Sequence, residues 1–121
     1  MKNLLALAAV IEAGTGLALM IHPPLVTGLL LGEAVSGAGV VLGRVAGFAL
    51  LSLGLACWPR RESGGTNSLA LRALLTYNLL ATLYLVYLGI GGRFVGSLLW
   101  PAVVLHAFLT CLLVRAWHWR E

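Results

Sequence analysis

Two long stretches of this chain carry no charged side chain: residues 73–92 and residues 94–114. A helix needs about 20 mainly apolar residues to cross the hydrocarbon of a bilayer, and each stretch is long enough. One such run alone could be a buried core helix, but the rest of the chain is built the same way. Hydrophobic residues make up 60% of the 121 and charged residues only 10%, with a mean hydropathy of +0.98. Soluble domains have about 45–50% and about 25% of these. The composition excludes a water-soluble globule and a disordered chain. It also excludes a nucleic-acid binder, despite a net charge of +4. The expected fold is all-α: an integral membrane four-helix bundle, with 1–121 as a single transmembrane domain.

The spans are expected at about 3–21, 36–58, 69–90 and 94–116. The first ends at His22-Pro23-Pro24, because paired prolines remove two backbone donors and bias the preceding residue away from helix. Residues 24–31 are apolar but too short to cross, so a short interfacial helix is expected there. Residues 59–68 hold charges, glycines and small hydroxyls and are read as a solvent loop. Gly91-Gly92-Arg93 is read as a tight turn, and Pro101 as a kink in the fourth span. The start, Met1-Lys2-Asn3-Leu4, has the basic flank of a signal peptide. Glu12 interrupts the apolar run and no Ala-x-Ala site follows, so the segment is expected to be retained as a helix.

Four spans put both termini and the middle loop on one side of the membrane. That side holds Lys2, Arg60, Arg61, Arg72, Arg115 and Arg120. The other holds Arg93, with Arg44 inside a span. Basic residues near helix ends mark the cytoplasmic face, which predicts N-in and C-in. Trp58, Trp117 and Trp119 fall at the same inner boundary, the headgroup level that indoles favour.

Two features speak to packing and function. The first is Gly39, Gly43 and Gly47 at four-residue spacing, continued by Gly54. In lipid, close backbone approach and dispersion hold helices together, and glycine permits that approach. The stripe is expected to serve helix packing, within the chain or in a homodimer. Segment one offers a matching small face in Ala8, Ala9, Ala13 and Gly16 around Glu12.

The second feature is depth. Glu12, Asn78 and His106 lie near the centres of their segments, and Arg44 about one turn outward of its own. With a rise of about 1.5 Å per residue, all four could share one plane. A charge at a helix centre costs about +2.5 to +3.5 kcal/mol on insertion scales, and the eight Leu, Ile and Val of segment one return roughly −2 to −5 kcal/mol. Glu12 must therefore be neutral, paired or wet. A Glu12–Arg44 ion pair, with Asn78 and His106 completing the hydrogen bonds, is the expected arrangement. Such a quartet is either structural, fixing helix register, or a small ligand site.

Other chemistry is not indicated. Cys57 and Cys111 stand alone and no clustered metal ligands occur. His22 and His106 sit at different depths, which argues against shared haem ligation. No cofactor, metal or catalytic residue is expected, and the chain is not read as an enzyme.

Arg44-Val45-Ala46-Gly47-Phe48-Ala49-Leu50-Leu51-Ser52-Leu53-Gly54, after a proline-bearing connector closing on Gly32, resembles the second helix of the DoxX-like superfamily of small four-helix bacterial membrane proteins. The resemblance covers residues 20–60. It implies a four-helix bundle in the bacterial inner membrane and carries over no catalytic residue. The expected function is a small accessory or scaffold subunit, packing through its glycine faces on itself or on a larger membrane complex. The alternative is a binder or carrier of a small amphiphile, a lipid or quinone-like molecule, using the polar midplane.

Overall fold

The computed structural model describes residues 1–61 and 64–120, with no side-chain description for residues 64–66. Five helices follow in order: α1 (Lys2–Ile21), α2 (Pro23–Leu31), α3 (Ala38–Ala56), α4 (Gly64–Gly91) and α5 (Leu99–His118). Four of them, α1, α3, α4 from Asn67 onward and α5, are long and apolar enough to cross a membrane. With nine residues, α2 is about 14 Å long and cannot cross a hydrocarbon layer of about 30 Å.

Local chemistry sets the ends. His22 alone joins α1 to α2, with an extended φ of −146°, as a residue before proline requires. Its Nδ1 accepts from Leu25 N–H at 3.1 Å and so caps α2. Pro23 and Pro24 occupy the first turn, where the missing donors cost nothing. Gly32 ends α2 in the left-handed region at φ 79°, which glycine adopts without a Cβ penalty. Thr27 ties down the following loop, accepting from Val35 N–H at 3.0 Å.

Two expected boundaries move, and Pro101 changes its place in the fourth span. The polar loop is shorter than 59–68, since α4 begins at Gly64. Glu62, Ser63 and Glu121 lie outside the described residues. The fourth span starts at Leu99 rather than residue 94, because the preceding turn pairs with α2. Gly96 N–H donates to Leu30 O at 3.0 Å and Leu98 N–H to Leu29 O at 2.9 Å. Pro101 consequently stands in the first turn of α5, where a proline is tolerated, and not at a mid-helix kink.

The helices form two antiparallel pairs, α1 with α3 and α4 with α5. The pairs meet chiefly through α1 and α4, and among the described residues the backbones of α3 and α5 do not come close. The apolar core lies towards the end that carries both termini. It contains Leu5 and Ala8 of α1, Leu71 and Leu74 of α4, and Leu109 and Leu113 of α5. The opposite end is closed by α2 and the α4–α5 turn.

Candidate functional site

The stripe on α3 faces α1. A Cβ on Gly47 would lie 2.6 Å from Gly16 O, and one on Gly54 2.6 Å from Ala9 O. Neither position tolerates a side chain unless the helix backbones separate. Gly43 rests on the Pro23 ring, and Gly39 meets only Val35 just before its own helix. The stripe is thus used inside the chain along most of its length.

These contacts also fix the register. Gly47 stands opposite Gly16 and Met20, Gly54 opposite Ala9 and Ala13, and Gly43 opposite Pro23. In this antiparallel pairing, Arg44 lies level with the end of α1. It is about nine residues, or about 13 Å, outward of Glu12 along the pair axis. Arg44 is exposed and Glu12 fully buried. The expected Glu12–Arg44 ion pair is absent: neither Glu12 oxygen has a hydrogen-bond partner. The depth estimate fails because α2 intervenes. The first turns of α3 rise beyond the end of α1 to meet Pro23, so the midpoints of the two helices are not opposite each other.

The other three residues do come together. Asn78 is fully buried and its Oδ1 lies 2.8 Å from His106 Nδ1. The Asn78 amide nitrogen donates to Leu74 O at 2.9 Å. A carbonyl can only accept, so the NH₂ group must face Leu74 and Oδ1 must face His106. His106 Nδ1 therefore carries the proton, and in the neutral ring Nε2 keeps a free lone pair. The Asn78 amide lies alongside the Glu12 carboxyl without a contact of hydrogen-bond geometry. One acid on α1, one amide on α4 and one imidazole on α5 thus form a row across three helices.

Neighbouring groups hold the row in place. Thr82 and Thr110 donate, each at 2.7 Å, to the backbone carbonyls of Asn78 and His106. Tyr77 sets its ring edge-on to His106, with centroids 6.0 Å apart and planes at 77°. This contact is not foreseeable from the sequence. Helical spacing pairs Tyr77 with Tyr84, whereas Tyr84 stacks on Tyr87. Among the described residues no three His, Cys, Asp or Glu side chains converge. The row's chemistry is hydrogen bonding and proton holding at carboxyl and imidazole.

No protein-family model matches the chain, and neither a curated protein nor a solved structure proves significantly similar to it, so its function is argued from this geometry.

Proposed function

We propose that the chain is a multi-pass protein of a bacterial cytoplasmic membrane that binds or carries a small amphiphile, a lipid or quinone-like molecule, whose polar end engages Glu12, Asn78 and His106. One observation carries this reading: the Glu12 carboxyl is fully buried and both its oxygens lack a partner. A buried polar group without a hydrogen bond costs free energy that a fold ordinarily avoids. A purely structural network would be expected to close on itself. This one closes between Asn78 and His106 and stops short of Glu12. A ligand hydroxyl could donate to His106 Nε2 and accept from the Glu12 carboxyl in its protonated form.

The orientation in this proposal places both termini inside and α2 at the outer interface. It is supported by the basic residues Lys2, Arg60, Arg61, Arg72, Arg115 and Arg120 at the end that holds both termini. The resemblance of residues 20–60 to DoxX-like proteins supports the bacterial inner membrane.

The test is mass spectrometry of the protein extracted in mild detergent. The expected result is an amphiphile at one per chain, lost in Glu12→Gln and His106→Leu and kept in Arg44→Met. Folded protein with no bound amphiphile, or loss in Arg44→Met alone, overturns the reading.

Arg44 favours a second reading, the accessory or scaffold subunit. It is exposed on α3 beside Val41, Leu42, Val45 and Phe48, which are at least half exposed. A cation on such a face either snorkels to headgroups or meets an acid on a partner. Because Gly47 and Gly54 are covered by α1, a partner would dock on this side of α3. Co-purification of a second membrane protein, lost in Arg44→Met, would select this reading.

A further inference from the structure

A cleft of about 270 Å³ opens between α4 and α5 near the end that carries both termini, lined by Arg72, Leu75, Thr76, Val114 and Trp117. Arg72 lies over the Trp117 ring, with its guanidinium carbon 5.2 Å from the centroid. A second cleft at the same end also holds an arginine over an indole, Arg115 on Trp119, but among the described residues that line it none carries a hydroxyl. The five N–H donors of the Arg72 guanidinium make no hydrogen bond or ion pair and remain available to a planar or tetrahedral oxyanion. One turn along α4 is Thr76. The hydroxyls of Thr15, Ser52, Thr82 and Thr110 each donate to the carbonyl four residues back on their own helix. The exposed Thr76 hydroxyl makes no hydrogen bond. Leu75 and Val114 supply apolar walls.

We propose that this cleft binds the headgroup of an anionic phospholipid, with Arg72 on the phosphate, Thr76 donating to a glycerol-ester oxygen, and Leu75 and Val114 against the first methylenes. Each element matches one part of such a molecule. Trp117 stands one residue from the end of α5, and indoles at helix ends mark the level at which headgroups lie. Basic pockets between spanning helices suit anionic headgroups. The apolar walls continue towards the acyl region and would serve no purpose for inorganic phosphate. The site is separate from the Glu12–Asn78–His106 row. Thr76 and Asn78 are two residues apart on α4 and so point to opposite sides of it, one exposed and one buried. The inference needs only that α4 and α5 span a membrane, so it can fail while the midplane reading stands.

The test measures thermal stabilisation and native-mass-spectrometry binding of the full chain in detergent. Phosphatidylglycerol is compared with phosphatidylcholine and with inorganic phosphate. Phosphatidylglycerol is expected to bind preferentially. Arg72→Gln should weaken it about fivefold, the share of one basic side chain at an anionic surface, and Thr76→Val by less. Arg93→Gln, at the far end of α4, should leave binding unchanged, as should Glu12→Gln. Equal stabilisation by phosphatidylcholine or by inorganic phosphate overturns the proposal. So does equal weakening by Arg72→Gln and Arg93→Gln, which would indicate general charge attraction. Melting temperatures in phosphatidylcholine report whether each variant is folded.

Discussion

The two helix pairs are held together by opposite means. Between α1 and α3 the contact is made by what is missing. Gly16, Gly47 and Gly54 let the backbones approach until a single Cβ would overlap a carbonyl. Between α4 and α5 it is made by what is present: Leu71 and Leu74 against Leu109 and Leu113, the Asn78–His106 bond and the Arg72–Trp117 stack. Lipid tails compete equally well for apolar surface, so neither pair can rely on hydrophobic burial. One uses close approach and the other polar and shape-specific contacts. The first pair should be vulnerable to added atoms and the second to removed ones.

The largest effect should therefore come from enlarging a glycine. Gly47→Leu forces apart backbones now in contact and is expected to cost about 3 kcal/mol or more, at or beyond the upper end for overpacking. Gly39→Leu, on the same stripe but touching only Val35, should be tolerated far better. Denaturant titration in mixed micelles checks both. If they destabilise equally, α1 and α3 are not in the close register described.

Removing atoms from the other pair should cost less. Interhelical hydrogen bonds in membranes average about 0.6 kcal/mol and reach about 1.7. Asn78→Leu and His106→Leu are each expected to cost about 1 kcal/mol, and the double variant little more than either single. A double-mutant cycle measures this non-additivity. Strictly additive losses would show that the bond contributes nothing and that each side chain acts through its own packing.

The same contrast explains how much was legible in the sequence. Apolar run length and the breakers at Pro23, Gly32 and Gly92 are enough to place five helices to within about five residues at their ends, because those signals are local. The meeting of Asn78 and His106 was legible too. Their helices are joined by a short turn, so counting outward from it fixes which residues lie side by side. Arg44 does not lie level with Glu12, because α1 and α3 are not so joined. α2 stands between them and lifts the start of α3, and no local signal records that offset. The edge contact of Tyr77 on His106 was not visible either, since it depends on how α5 is rotated against α4.

The smallest expected effect bears on that offset. If Glu12 and Arg44 were paired, Glu12→Gln and Arg44→Met would each destabilise, and the double variant would recover part of the loss, since the second change removes the charge the first left uncompensated. With the two side chains about 13 Å apart along the helices and Arg44 exposed, the cycle should close to within about 0.5 kcal/mol, the ordinary scatter for independent sites. The single variants should differ in kind as well. Arg44→Met should leave the melting temperature in detergent almost unchanged, because the exposed side chain makes no hydrogen bond or ion pair. Glu12→Gln should hold or raise it, since an amide meets the buried, unpartnered site without a charge to desolvate. A coupling above 1 kcal/mol would mean that the arginine reaches the acid in the membrane. The acid would then already be paired, leaving only His106 Nε2 to accept from a ligand.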